Sequence, residues 1–186
     1  MIYVKRILIG VGIIILIFFV LKIAGSFFIK GIVQEVNIKT YGTENISADI
    51  NKEAPFFELA DLNSNAIKLS DFSGSPLVVL FWTTWNAQAA DQLKIFDDYL
   101  VKNPKALFKI IAINNQEDKS VVSNFIKRGG YQLGVLLDEK GAIGELYGAR
   151  NLPVSYFLDK NGVIKDIFVG VLNEKALVDK SEKIIR

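Results

Sequence analysis

The residues best placed to do chemistry lie in Phe81-Trp82-Thr83-Thr84-Trp85-Asn86-Ala87-Gln88-Ala89-Ala90. An apolar run from Leu77 leads into this stretch and reads as a buried strand. An amphipathic segment with helical spacing follows it. A strand that turns directly into a helix N-terminus is a place for chemistry, because the first helical N–H groups have no partner inside the helix and point outward. The side chains at the turn are nevertheless an amide and small apolar groups, and none is a nucleophile or a useful acid or base at neutral pH. The turn has the outline of a reactive centre without a reagent.

Composition narrows the chemistry further. The 186 residues include no cysteine, which excludes disulfides, thiolate nucleophiles, thioether-linked haem and thiolate metal sites. There is no histidine, so the commonest general base and the commonest zinc ligand are missing too. No carboxylate pair stands out as a hydrolytic site, and neither a metal nor another cofactor is expected. Residues 1–30 carry Lys5, Arg6, Lys22 and Lys30 and no acid, so the net +2 of the chain leaves −2 on the remainder. That remainder has no basic bias, which argues against nucleic acid as a partner.

The elements that must position the turn begin with an apolar N-terminus. Ile7 to Leu21 is uncharged, Lys22 interrupts it, and apolar residues resume to Ile29. Residues 7–29 are expected to cross a membrane as one helix, with Lys22 snorkelling to the far interface, since a roughly 30 Å hydrocarbon core needs about 20 residues. The basic flank predicts a cytoplasmic N-terminus and an extracytoplasmic domain. The competing reading is a cleaved signal peptide with Ala24-Gly25-Ser26 at the cleavage site. Residues 1–30 are thus the anchor, 31–52 a linker with one short strand near Val33 to Ile38, and 53–186 a domain large enough for a real core.

Within the domain, Phe56–Leu59 and Ala66–Leu69 read as a hairpin around Asp61-Leu62-Asn63-Ser64-Asn65. That turn resembles the start of a calcium loop, but Ala66 stands where the glycine belongs and Phe72 where the terminal acid belongs. Asp61, Asp71, Asp138 and Asp159 are best read as turn residues. After Leu77–Phe81 comes a helix capped by Asn86, with Ala89, Leu93, Phe96 and Leu100 inward, ended by Asn103-Pro104. Phe108–Ile113 is a strand. Asp118–Arg128 is a helix with Val121, Val122, Phe125 and Ile126 inward, stopped by Gly129-Gly130. Leu133–Leu137 is a strand and Gly141–Tyr147 a short helix. Val154–Leu158 and Val163–Val169 form a hairpin across Asn161-Gly162, and a last helix runs from Asn173 to Ile185 with Leu177 and Ile184 inward. This order predicts an α/β domain with a mixed sheet covered by helices on both faces.

Several stretches together resemble one family. They are Ala54-Pro55-Phe56-Phe57-Glu58-Leu59, Ile67-Lys68-Leu69-Ser70-Asp71-Phe72-x-Gly74, Phe81-Trp82-x-x-Trp85, Tyr147-Gly148 through Leu152-Pro153, and Leu158-Asp159-Lys160-Asn161-Gly162-Val163-Ile164. In this order and spacing they resemble the membrane-anchored, extracytoplasmic thioredoxins of the TlpA/ResA-like group of bacteria. The resemblance implies a thioredoxin fold with an N-terminal β-hairpin extension, preceded by the transmembrane helix, and a cis bond between Leu152 and Pro153. The family activity is thiol–disulfide exchange. Its motif Trp-Cys-Pro-Pro-Cys-x-x-Glu places the attacking cysteine on Asn86, the resolving cysteine on Ala89 and the glutamate on Gln92. All three groups are replaced by neutral ones, and no other thiol can stand in.

The resemblance therefore implies a scaffold without its redox groups. Trp85, Asn86, Leu152 and Pro153 are expected to form a shallow groove that meets an extended peptide through backbone hydrogen bonds. Trp82 is expected in the core, Asn86 as a helix cap, and Gln92 beneath the site as a neutral hydrogen-bonding group. The expected function is a redox-inactive module binding an extracytoplasmic protein or peptide. The alternatives are an oxidoreductase whose cysteines have been mutated, and a structural subunit of a membrane complex.

Overall fold

The computed structural model describes residues 48–186. The expected anchor, most of the linker and the strand near Val33 to Ile38 lie outside them. Among the described residues no helix is long and apolar enough to cross a membrane.

The strands are β1 (Glu58–Asp61), β2 (Ala66–Lys68), β3 (Leu77–Trp82), β4 (Lys109–Asn115), β5 (Gly134–Asp138), β6 (Val154–Leu158) and β7 (Ile164–Val169). The helices are α1 (Ala89–Lys102), α2 (Lys119–Gly129), α3 (Ala142–Tyr147) and α4 (Glu174–Ile185), with one 3-10 turn at Leu69–Phe72. The strands form one mixed sheet in the order β2-β1-β5-β4-β3-β6-β7. β3, β4 and β5 are mutually parallel, while β6 runs antiparallel to β3 and β1 antiparallel to β5.

All six residues of β3 are buried, which a strand reaches only when both faces of its sheet are covered. Alternation then sorts its side chains between two cores. Val78, Leu80 and Trp82 pack with Leu93 and Phe96 of α1, Val122 and Ile126 of α2, and Leu177 and Ile184 of α4. Leu77, Val79 and Phe81 pack with Phe57, Tyr147, Tyr156 and Ile164 on the opposite face. Burying one such aliphatic or aromatic side chain contributes about 1.5–3 kcal/mol, so β3 is the axis of the domain's stability. Helices on both faces and a hairpin at the sheet edge agree with the sequence reading.

Two local expectations need correction and one needs extending. Val121 points outward and is 46 % exposed, because α2 meets the sheet through the narrower stripe of Val122 and Ile126, with Phe125 partly buried beside them. Asp138 opens a turn as expected, its carbonyl accepting the Gly141 N–H at 2.9 Å, but it is buried, and its carboxylate accepts the Gly144 N–H at 2.8 Å and fixes α3. Regular helix α1 starts at Ala89 rather than at Asn86. Asn86 instead closes the preceding turn, accepting the Gln88 N–H on its side chain at 2.8 Å and the Ala89 N–H on its carbonyl at 3.0 Å.

The other expected turns hold. Asp61 accepts the Asn63 and Asn65 N–H groups, each at 2.8 Å, and Asp159 accepts those of Asn161 and Val163. Gly162 takes φ +79° to close the β6–β7 hairpin, a conformation that favours glycine. At the other end of the described chain, Ala48 is buried in the second core. The N–H of Asn51 donates to Ile164 O at 2.7 Å, so residues 48–52 pack on the domain.

Candidate functional site

The register of the parallel pair β3/β4 sets Trp82 opposite Asn114. The chain beyond each therefore leaves the sheet along one edge, the edge where open α/β sheets gather their sites. Thr84 lies just past Trp82 and Glu117 just past Asn114. The Glu117 carboxylate accepts three hydrogen bonds: from the Thr84 N–H at 2.6 Å, the Thr84 hydroxyl at 2.5 Å and the Asn114 amide at 2.7 Å. One partly buried anion thus ties the turn after β3 to the end of β4. Sequence reasoning missed this cluster. The signal available was position alone, a carboxylate following the C-terminal end of a parallel strand.

The antiparallel pair β3/β6 places Phe81 opposite Val154, which brings the preceding Leu152-Pro153 beside the turn. The Leu152–Pro153 bond is cis, as the resemblance implied. Asn86 and Leu152, 66 residues apart, meet directly: the Asn86 side-chain N–H donates to Leu152 O at 2.7 Å. With its Oδ1 occupied by the Gln88 N–H, the Asn86 amide is engaged at both ends. Pro153 is buried and its carbonyl accepts the Gly170 N–H at 2.8 Å, while Leu152 is half-buried.

The two tryptophans have opposite fates. Trp82 is fully buried and packs on Phe125 with ring centroids 5.4 Å apart. Trp85 is 73 % exposed beside Asn86. Ala89 is a fully buried methyl in the first core. Gln92 is also fully buried, and its Oε1 accepts the Leu172 N–H at 2.6 Å, pinning the loop before α4 to the first turns of α1. The Gln92 Nε2 and the Thr83 hydroxyl are buried with no partner among the described residues.

The arrangement offers hydrogen-bonding backbone and an exposed indole, and the sequence supplies no thiol to it. Among the described residues no group of three potential ligands is placed to hold a metal ion. A cleft of about 650 Å³ between Leu62, Ile67, Ile126 and Leu133 lies away from this turn.

Comparison with known proteins supplies the context. The AhpC/TSA family profile matches residues 50–167. The thiol-disulfide oxidoreductase ResA of Bacillus thuringiensis subsp. konkukian (strain 97-27) is 31% identical over 77% of this chain and 83% of its own length. ResA of Bacillus subtilis (strain 168) is 28% identical over 74% of this chain and 76% of its own. Among solved structures, that of a DsbE-type thiol:disulfide interchange protein of Chlorobium tepidum superposes with a TM-score of 0.66 at 25% identity, covering 74% of this chain and 96% of that one.

Proposed function

This chain belongs to the AhpC/TSA redoxin family, among relatives of the ResA/TlpA-like thiol-disulfide oxidoreductase type, and from that premise we propose that it is a redox-inactive member holding an extended segment of another protein. On this reading the domain works outside the cytoplasmic membrane, tethered through residues 7–29. The observation that carries the proposal is the chemistry at Asn86. Thiol–disulfide exchange requires a thiolate to attack a disulfide sulfur. Here an amide occupies the attacking position and is consumed by hydrogen bonds to Leu152 and Gln88. The resolving position is the buried methyl of Ala89 and the acid position is the neutral, buried Gln92. What persists is the recognition scaffold: the Leu152-Pro153 loop against the turn, with Trp85 exposed beside it.

The test uses the full chain in detergent or nanodiscs. Insulin reduction driven by dithiothreitol should stay at the blank, and a phage-displayed library of random twelve-residue peptides should yield binders that are lost in Trp85→Ala. Insulin turbidity above the blank, or selected peptides indifferent to Trp85→Ala, overturns the reading. Tethering is checked separately: protease added to intact spheroplasts should remove the domain, and protection of the domain refutes the orientation.

A further inference from the structure

We infer that Asn86 makes this surface selective for a partner segment with proline opposite Leu152. The inference rests on the peptide-holding reading above and sharpens its substrate class. Leu152 precedes a proline, which biases it to an extended conformation. In an extended residue the N–H and C=O point to the same side, and an antiparallel partner residue normally engages both. The Leu152 carbonyl points at Asn86 and already accepts its amide N–H at 2.7 Å. The Leu152 N–H has no acceptor among the described residues. The surface therefore offers an incoming strand a donor, while the matching acceptor is held by the protein's own side chain.

An ordinary residue opposite Leu152 brings an N–H that loses water and must compete with Asn86 Nδ2 for one carbonyl oxygen, crowded on the side a strand would use. A desolvated donor left with a poor bond weakens binding by roughly ten-fold. Proline has no N–H to leave unmade, and its carbonyl still accepts from Leu152. Its fixed φ also keeps the segment extended, lowering the ordering cost of binding. The geometry thus discriminates by what a partner lacks, and the discriminating group is the Asn86 amide Nδ2.

The experiment continues from the peptide selection with the full chain. Synthetic copies of a selected peptide carry proline, N-methylalanine or alanine at the enriched position, and affinities are measured for wild type, Asn86→Ala and Asn86→Asp. The carboxylate introduced by Asn86→Asp keeps the acceptor for the Gln88 N–H but has no N–H to donate. Wild type should prefer proline and N-methylalanine over alanine by about ten-fold, and both variants should reduce that preference to within about two-fold. Binding by wild type with no proline enrichment, or a preference that survives in both variants, overturns this inference while leaving the holding function intact. Absence of any peptide binding to wild type refutes the holding function itself, and the inference with it.

Discussion

Replacing Gln92 by glutamate places an ionisable group in the core beneath the turn, and its consequences follow from the surroundings. Gln92 is fully buried, its one hydrogen bond comes from the Leu172 N–H, and its Nε2 has no acceptor among the described residues. A protonated glutamic acid has nearly the same shape and can keep the Leu172 bond, so the variant should match wild type to within about 1 kcal/mol in acid. Ionisation is another matter. Full burial raises a carboxyl pKa by about 3–5 units, and one N–H donor offsets part of this, leaving a rise of about 3 units above the unfolded value near 4.3. The sign follows from proton binding: between these two values the folded state holds the proton that the unfolded state releases. Stability of the variant is therefore intact below about pH 4, falls by about 1.4 kcal/mol per pH unit, and levels off above about pH 7.5 some 4 kcal/mol below wild type. In urea titrations followed by tryptophan fluorescence, the deficit should grow from under about 1 kcal/mol at pH 4.5 to about 4 kcal/mol at pH 8, a midpoint shift of about 2 M. A deficit that is the same at both pH values would mean that position 92 is open to water, and would refute the reasoning.

Other perturbations test the supporting contacts. Glu117→Ala removes the acceptor of three donors and should cost about 2–4 kcal/mol in urea denaturation, whereas Glu117→Gln, whose oxygen can accept both N–H groups while its NH2 donates to the Thr84 hydroxyl, should cost about half as much. Burial opposes ionisation of Asp166, but hydrogen bonds from Lys183 and Lys180 outweigh it and hold the carboxyl below its usual range. Its contribution is present above about pH 4 and lost as pH falls through the lowered value. Asp166→Asn should therefore cost about 1–3 kcal/mol at pH 7 and flatten the acid limb of the stability profile. Burial raises the hydroxyl of Tyr156 to about 12 and that of Tyr147 further. Folding thus loses stability as pH climbs above about 10, where unfolded tyrosines ionise, and Tyr147→Phe, losing the bond to Pro55 O, should reduce this alkaline sensitivity while costing about 1–3 kcal/mol at neutral pH. Trp85→Ala should change stability by less than about 0.5 kcal/mol, leaving the emission of buried Trp82 as the folding signal.

Much of this protein could be read one segment at a time. The unbroken apolar run of β3 and the periodic stripe of α1 are local patterns, so composition and spacing reveal them. Val121 shares the apolar period of α2 yet stays exposed, because periodicity marks the apolar residues without showing how much of the helix face the sheet covers. Asp138 looked like any acid in a turn, because nothing local signals that α3 folds back onto it.

What the chain alone determined is chiefly what it cannot do: without a cysteine thiol, no arrangement of its backbone performs thiol exchange. It also determined where the turn, the strand ahead of it and the helix after it would form, since those depend on neighbours in sequence. Tertiary structure decided the partners. Asn86 finds Leu152 66 residues away, Glu117 finds Thr84 33 away, and Gln92 finds Leu172 80 away. Each meeting follows from strand register and from helix packing on the sheet, and register is a property of pairs of segments that no single stretch of sequence contains.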